Sequence, residues 1–333
     1  MKVVFLTHGG GGVGGGHVVR SAALAQGFLR LGVPVGLVGN PGAVEFFSHQ
    51  GLLGGPGSFF SIEDPFGGGF EDALSFLRSS TPLLCVVDSY QAGEALLDEL
   101  GSVSPVVVID DLRSYSVELH CRGVINYSLG ADGLGYSSDR CGLMLGPGYA
   151  LLREPFWGLK SACGARYLVV AGAADPLGVT PQLVRWWNGL GLPAVDVVIG
   201  PMADMSTRRE AEEAARGAPS VRLLFSPVDL PSRIAGSRGV ICTSSVTAYE
   251  ALGLRKPVVV FQVADNQLAT GEAIGRMGLG INLGPWGSWG SEDLRRALDA
   301  MFVPPADVVN PRGALRAATE LLETFRLNPC HGI

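Results

Sequence analysis

Short runs of apolar residues alternate with longer segments in which apolar residues recur at helical spacing along nearly the whole chain. The first apolar run is Val3–Thr7, and after a glycine-rich stretch Val18, Ala22, Ala25 and Leu29 fall on one helical stripe. Apolar runs of this length are typical of strands covered on both faces, as in parallel sheets. Strands that alternate with helices predict right-handed βαβ units, and therefore an α/β fold with parallel sheets.

The same alternation predicts the individual elements. Strands are predicted at 3–7, 35–38, 83–87, 106–109, 124–125, 143–145, 166–171, 195–199, 221–225, 239–243, 257–261 and 280–283. Helices are predicted at 17–31, 41–50, 71–78, 91–100, 180–190, 208–216, 229–235, 246–253, 266–276, 291–302 and 311–326. The Gly/Pro-rich residues 51–70 predict a long loop around one short strand.

The alternation breaks once, at the Gly-Pro-Gly of residues 146–148, and then restarts. We therefore predict one domain at 1–148, a linker at 149–164, a second domain at 165–310 and a last helix that packs back on the first domain. The predicted fold class is α/β, with two Rossmann-like domains facing each other across a cleft.

The composition allows a large core and argues against several classes of partner. Of 333 residues, 47% are hydrophobic and 17% are charged, which is ample for two domains. The formal net charge is -6 and no Lys/Arg run stands out, so neither nucleic acid nor membrane is expected as a partner. No apolar run reaches the ~20 residues of a membrane helix. The six cysteines lack C-x-x-C pairing and predict reduced thiols in a cytoplasmic protein.

Candidate functional residues are the polar side chains at the ends of predicted strands. In open parallel sheets, ligands bind beyond the carboxyl ends of the strands. The residues at such positions are His8, His17, Asp88, Asp110, Asp111, Asp175, Thr243, Ser244, Ser245, Asp265, Asn266 and Gln267.

A glycine-rich loop, Gly9 to Gly16 broken only by Val13, follows the first strand and leads into a helix. A strand, a glycine loop and a helix N-terminus together favour an anion, most often a phosphate. The loop matches G-x-G-x-x-G twice, but at this glycine density the match carries little weight. The second strand ends at Asn40 without the carboxylate that binds ribose in dinucleotide sites, so an NAD-dependent dehydrogenase is a weak alternative.

His17 stands at the start of that helix and has two interpretations. It is a general base, or it is a capping or solvated histidine. The helix dipole disfavours the imidazolium form and so keeps the ring able to accept a proton, whereas a nearby phosphate acts in the opposite direction. His8 lies on the other side of the loop, and its role stays open.

Asp88, Asp110 and Asp111 follow two apolar runs. Such carboxylates orient a sugar hydroxyl or hold Mg²⁺, but no third ligand stands at a recognisable spacing, so no metal is predicted. For either Asp110 or Asp111, capping of a helix is an equally good interpretation.

A second strand end, Thr243-Ser244-Ser245, leads directly into a helix that contains Thr247 and Glu250. Its hydroxyls and backbone N–H groups suit a diphosphate, and Glu250, one turn further, suits the hydroxyls of a ribose. The alternative is a Ser/Thr helix cap with a first-turn charge. Residues 265–267, Asp-Asn-Gln, suit a sugar in the same way, or Asp265 is only a cap.

Six landmarks in order resemble the family of the UDP-sugar hydrolase of pseudaminic acid biosynthesis (UDP-2,4-diacetamido-2,4,6-trideoxy-altropyranose hydrolase), which includes spore-coat polysaccharide proteins regarded as glycosyltransferases. The family motifs are G-x-G-H-V-x-R, D-x-Y, D-D-L, L-G-P-x-Y-A-L-L-R, G-S-D-P and A-D-N-Q. They are matched at 14–20, 88–90, 110–112, 145–153 and 264–267, and Ala174-Asp175-Pro176 sits where the family has G-S-D-P.

The resemblance implies a GT-B fold, in which the first domain takes the sugar or acceptor and the second binds the nucleotide, without metal or cofactor. It implies that UDP lies near Thr247 and Glu250, that His17 is the catalytic base, and that Tyr90 and Asn266 help to hold the sugar or water. Further substrate-binding residues are predicted at Gly14, Gly15, Gly16, Asp88, Thr243, Ser244, Ser245, Asp265 and Gln267.

Some loops depart from the family, which leaves the reaction open within nucleotide-sugar chemistry. The usual G-G-S-T-x-W-E has become S-S-V-T-A-Y-E at 244–250, and the first strand ends in Thr7-His8-Gly9 rather than Arg-Ala/Val-Asp. We predict hydrolysis of a UDP-sugar. The alternatives are glycosyl transfer to a small acceptor hydroxyl and a non-catalytic nucleotide-sugar binding protein.

Overall fold

A computed structural model describes residues 2–9, 15–55, 57–137, 139 and 141–325. The chain divides into two compact units. The first combines the chain up to Trp157 with the chain from Arg312 onward, and the second is Gly158–Pro311. Each unit is built on one parallel sheet with helices on its faces, which confirms the predicted fold class of two parallel-sheet α/β domains.

The first unit contains a seven-stranded sheet in the order β3-β2-β1-β4-β5-β6-β7. Its strands are β1 Val3–Thr7, β2 Val35–Gly39, β3 Phe59–Ser61, β4 Leu84–Asp88, β5 Val106–Ile109, β6 Gly123–Asn126 and β7 Gly142–Leu145. Its helices are α1 Gly16–Arg30, α2 Pro41–His49, α3 Phe70–Ser80, α4 Glu94–Gly101 and, from the end of the chain, α11 Gly313–Thr324. All neighbouring strands are parallel.

The second unit contains a six-stranded parallel sheet in the order β10-β9-β8-β11-β12-β13. Its strands are β8 Tyr167–Val170, β9 Val195–Ile199, β10 Val221–Phe225, β11 Val240–Thr243, β12 Val258–Gln262 and β13 Ile281–Pro285. Its helices are α5 Val179–Gly189, α6 Met205–Ala215, α7 Leu230–Gly236, α8 Val246–Gly253, α9 Leu268–Arg276 and α10 Ser291–Asp299.

The central strands form the cores because both of their faces are covered. Every residue of β1, β2 and β4 is buried, as the continuous apolar runs predict. Helix α11 packs along α1, where a glycine makes the approach possible: a Cβ on Gly27 would lie 2.7 Å from the carbonyl oxygen of Ala314. The sequence-distant α11 thereby joins α1 in the helical layer of the first unit, where Leu321 and Thr324 lie against Gly123 of β6 and Gly142 of β7.

The predicted elements occur in the predicted order, with boundaries that shift by a few residues. Short 3-10 helices at 117–119, 131–134, 147–149 and 154–156 were not predicted. Single turns of this kind are too short to show a hydrophobic periodicity in the sequence, and their geometry depends on the surrounding packing.

Candidate functional site

The strand order places two loops of the first unit side by side. The chain leaves β1 toward β2 on one side of the sheet and returns to β4 on the other, so the carboxyl ends of β1 and β4 form a topological switch point. Thr7, the last residue of β1, pairs with Asp88, the last residue of β4, and its hydroxyl donates to the Asp88 carbonyl oxygen at 3.1 Å. The start of α1 therefore lies beside Asp88.

His17, on the first turn of α1, forms a buried pair with Asp88. Its Nδ1 lies 2.6 Å from Asp88 Oδ1, and the two residues are 5% and 0% exposed. Arg20 Nη2, which can only donate, also lies 3.1 Å from Nδ1, but the contact with the carboxylate oxygen is 0.5 Å shorter and that oxygen only accepts, so the ring proton is assigned to Nδ1. The lone pair is then on Nε2, which has no hydrogen-bond partner among the described residues. The arrangement is that of an oriented base, because the carboxylate stabilises the imidazolium that forms when Nε2 takes a proton.

Two further residues of α1 hold the Asp88 carboxylate. Arg20 donates from Nη2 to Oδ1 at 2.7 Å and from Nε to Oδ2 at 2.9 Å, and the Ser21 hydroxyl donates to Oδ2 at 3.1 Å. Burial opposes ionisation of this carboxyl, but the charges and hydrogen bonds of Arg20 and His17 outweigh burial and lower the Asp88 pKa to about 2. Asp88 is therefore a fixed anion beneath the histidine.

Arg20 connects this pair to a second acidic residue. Its Nη1 donates to Asp111 Oδ2 at 2.6 Å, and the Tyr90 hydroxyl donates to the same oxygen at 3.0 Å. The edge of the Tyr90 ring packs on His17, with ring centroids 4.6 Å apart. The other oxygen, Asp111 Oδ1, is buried and has no partner in the described part of the chain. The structure thus brings Tyr90, Arg20 and Asp111 together beside His17, while the role of Tyr90 in holding the sugar or water stays a prediction.

His8 lies on the other side of the same switch point. Its Nε2 is 3.0 Å from the Ser89 hydroxyl, and its ring lies 5.8 Å from the His17 ring. Burial, and then the nearby His17, lower the His8 pKa, which favours the neutral form of the ring. The site therefore contains one histidine paired with a carboxylate and one paired with a hydroxyl.

Asp88, predicted to bind substrate, is fully buried, and its two oxygens accept from His17, Arg20 and Ser21. These contacts assign it a positioning role toward His17, and its substrate role stays a prediction. Asp110 is likewise held by protein contacts: Oδ1 accepts from the backbone of Leu112 and Arg113, and Oδ2 accepts from the Tyr136 hydroxyl.

The glycine loop is described only at its ends. Gly14, predicted to bind substrate, lies outside the described residues. Gly15 is the N-cap of α1 and Gly16 its first residue, and a Cβ on Gly16 would meet no atom within 4 Å. Gly9 is held by Asn40, whose Oδ1 accepts from its N–H at 3.0 Å and whose Nδ2 donates to its carbonyl oxygen at 2.8 Å. Asn40, at the position of a dinucleotide-binding carboxylate, therefore holds the loop backbone.

The second predicted site, in the other unit, is at the end of β11. Thr243 and Ser244 are each only 2% exposed. The Ser244 hydroxyl donates to the Gln267 carbonyl oxygen at 2.8 Å and accepts from Gln262 Nε2 at 3.0 Å, while the hydroxyls of Thr243 and Ser245 lie 2.9 Å apart. The Ser244 hydroxyl thus ties β11 to β12 and α9, and its substrate role stays a prediction.

Helix α8 begins without a side-chain cap, although Ser245 is its N-cap residue. The N–H groups of Val246 and Thr247 have no acceptor among the described residues, and both side chains are half-buried. Glu250, one turn into the helix, is 3% exposed. The bare helix start fits a diphosphate better than it fits the alternative of a simple Ser/Thr cap.

Residues 265–267 form a single 3-10 turn before α9. Asp265 and Asn266 are exposed, whereas Gln267 turns back, so that its Oε1 accepts from the Val263 N–H at 3.0 Å. Asp175, another strand-end carboxylate, accepts from the N–H groups of Val179 and Thr180 and caps α5. These capping bonds explain Asp175 without a ligand.

Two general features of the described chain bear on possible partners. No three His, Cys, Asp or Glu side chains within it are grouped so that they could hold a metal ion. None of its helices combines the length and apolar character needed to cross a bilayer.

Several solved structures are similar to this chain over nearly its full length. MurG of Acinetobacter baumannii is 13% identical, with 98% of this chain and 99% of MurG covered and a TM-score of 0.63. The glycosyltransferase of kitacinnamycin is 14% identical, with 97% and 98% covered and a TM-score of 0.68. The UDP-GlcNAc 2-epimerase of Methanocaldococcus jannaschii is 12% identical, with 97% and 100% covered and a TM-score of 0.63.

At these identities the likeness shows the fold. The chain has a fold of the GT-B type with two Rossmann-like domains, as predicted. No protein-family model matches the chain, and no curated protein matches it. Membership of the UDP-sugar hydrolase family therefore stays a prediction.

Proposed function

We propose that this protein cleaves the anomeric C–O bond of a nucleotide sugar, with His17 as the general base and without a metal. The observation that carries the proposal is the buried His17–Asp88 pair at the switch point, joined by a 2.6 Å hydrogen bond that leaves Nε2 as the acceptor. Asp88 orients the ring and stabilises its charged form, and Arg20 keeps Asp88 ionised. UDP is the nucleotide that the sequence resemblance favours.

In the proposed reaction, an oxygen nucleophile attacks the anomeric carbon while Nε2 of His17 takes its proton. The bond from that carbon to the diphosphate oxygen breaks, and the electron pair leaves with the nucleoside diphosphate. The N–H groups of Val246 and Thr247 and the Thr247 hydroxyl would stabilise the leaving diphosphate. Glu250, one turn into α8, is the proposed ligand of the ribose hydroxyls.

The nucleophile is an acceptor hydroxyl in a transferase and water in a hydrolase. One of the fold neighbours described above is the glycosyltransferase of kitacinnamycin, which supports transfer to a small acceptor as our first proposal. The sequence landmarks at 14–20 and 145–153 support hydrolysis as the second. Both use the same base and the same leaving group.

The test is incubation with a panel of UDP-sugars, with and without small hydroxylated acceptors and with EDTA present. Release of UDP is the expected result, and the product distinguishes transfer from hydrolysis. Calorimetric binding of UDP without turnover on any combination would favour the non-catalytic alternative. An absorbance change with NAD(H) and a hydroxy substrate would instead favour the dehydrogenase.

We propose that Asp111 accepts a hydrogen bond from a hydroxyl of the sugar or of the acceptor, through its unpartnered Oδ1. Oδ1 is buried and lacks a partner in the described chain, while Oδ2 is held by Arg20 and Tyr90 beside His17. We expect Asp111→Asn to lower kcat/KM about tenfold, since a hydrogen bond to a charged group contributes about 1.5–3 kcal/mol. Steady-state kinetics on the best UDP-sugar measures this.

The control for Asp111 is Asp98→Asn, which changes an exposed carboxylate of the same unit that pairs with His120. This control should leave kcat/KM unchanged. Equal kinetics for Asp111→Asn and Asp98→Asn would remove Asp111 from the substrate site.

A further inference from the structure

Arginines gather at the amino-terminal edge of the second sheet, opposite the edge at which Thr243 ends β11. Arg166 immediately precedes β8, and Asp196 and Arg222 are the second residues of β9 and β10. Asp196 and Arg222 are register partners on adjacent parallel strands, so their side chains share one face of the sheet. Arg233 reaches the same place from α7.

One buried carboxylate organises these guanidinium groups. Asp196 is 7% exposed, and its Oδ1 accepts from Arg166 Nε at 2.5 Å and from Arg222 Nε at 2.9 Å. Its Oδ2 accepts from Arg222 Nη2 and lies 3.7 Å from Arg233 Nη1. Burial opposes ionisation of this carboxyl, but its bonds to Arg222 and Arg166 lower the Asp196 pKa below the usual range.

The positive charge here exceeds the negative charge. Arg238 lies over the Tyr167 ring, 5.1 Å from its centroid, and Asp229 pairs with Arg233 Nε at 2.8 Å. Four guanidinium groups thus stand against the two carboxylates of Asp196 and Asp229, in a chain whose formal net charge is -6. A local excess of this sign attracts anions.

The arginines line a cavity and retain free donors. The cavity has a volume of about 420 Å³, and its lining includes Arg166, Arg222, Ser232 and Arg233. Arg166 Nη1, Arg222 Nη1 and Arg233 Nη2 have no acceptor among the described residues. The contacts to Asp196 restrain two of the guanidinium planes, which reduces the entropy lost when their remaining N–H groups bind a ligand.

We propose that this cavity, which we call the basal pocket, binds a phosphate-type oxyanion, for which pyrophosphate is a small probe. Guanidinium groups match the oxygens of phosphates in bidentate geometry, and the three that line the cavity carry more charge than Asp196 and Asp229 neutralise. The basal pocket is separate from the proposed nucleotide site, because it is built at the opposite edge of the same sheet. It is therefore a second anion site, and it does not depend on the proposed function.

The test is isothermal titration calorimetry of the full chain with sodium pyrophosphate at constant ionic strength. Saturable binding is expected, and Arg233→Gln should weaken it about tenfold, because one charge-assisted hydrogen bond is lost. Arg222→Gln should weaken binding by a similar factor. Arg233→Gln is the cleaner change, since Asp196 keeps its bonds to Arg166 and Arg222. The matched control is Arg185→Gln, which changes an exposed arginine of the same unit paired with Glu210.

Each outcome decides for or against the basal pocket. Weaker binding in Arg233→Gln and Arg222→Gln, with Arg185→Gln unchanged and melting temperatures similar, supports it. Absence of saturable binding to the unsubstituted chain overturns it. Binding that is unchanged in Arg233→Gln and Arg222→Gln also overturns it, because the anion then sits elsewhere, for instance at the start of α8. None of these results depends on sugar turnover, so failure of the basal pocket and failure of the proposed function are distinguishable.

Discussion

Replacing His17 with alanine is expected to lower turnover of the preferred UDP-sugar by about 10²–10⁴-fold, the range typical of a lost general base. Asp88 remains neutralised by Arg20 and hydrogen-bonded by Ser21 without the imidazole, so the fold should persist. UDP affinity should be unchanged, because the proposed nucleotide residues lie at the start of α8. Steady-state UDP release and calorimetric UDP binding measure the two quantities separately.

The control for this substitution is His49→Ala, which removes an exposed histidine in the last turn of α2 in the same unit. It should leave both turnover and binding as they are. Normal turnover by His17→Ala would eliminate the proposed mechanism. A loss of UDP binding together with turnover would assign His17 to substrate binding rather than to proton transfer.

The fold was predictable because its signal is local. Strands covered on both faces must be apolar throughout, so β1, β4 and β12 appear in the sequence as short apolar runs separated by helical stripes. Chirality then restricts the connections between parallel strands. The two sheets and their helices follow from these rules, whereas single turns such as 131–134 do not.

The His17–Asp88 pair was not predicted, although both residues were singled out. Their side chains meet across 71 residues, and such a contact depends on which strand lies beside β1. The available signal was the strand order: in a sheet with β4 next to β1, the residue that ends β4 must lie at the loop that follows β1. Arg20, three residues after His17, completes the same cluster from the next turn of α1.

Some polar groups of residues 243–250 bond within the protein and others stay open to a ligand. The position of these residues at a strand end does not predict which groups do which. The Ser244 hydroxyl is consumed by contacts with α9 and β12, while the N–H groups of Val246 and Thr247 stay open. Serine in a turn predicts a ligand or a cap, but it equally serves as a link between buried elements. Only the packing of β11 against its neighbours distinguishes these roles.

The largest loss of stability is expected from Arg20→Gln. The Arg20 guanidinium is 6% exposed and joins Asp88, itself fully buried, to Asp111. Removing one partner of a buried ion pair leaves the other charge uncompensated and typically costs about 3–5 kcal/mol. For a unit of this size we expect the melting temperature to fall by roughly 10 °C. Differential scanning calorimetry of the purified chain measures the change.

The control for Arg20→Gln is Arg30→Gln, which changes another arginine of the same helix. Arg30 also pairs with a carboxylate, Glu154, but its side chain is 63% exposed. Water then solvates both charges, so losing the pair should cost less than about 1 kcal/mol. If the two substitutions lower the melting temperature equally, burial of the Arg20–Asp88 pair is not what makes it stabilising, and Asp88 would not need Arg20 to remain ionised beneath His17.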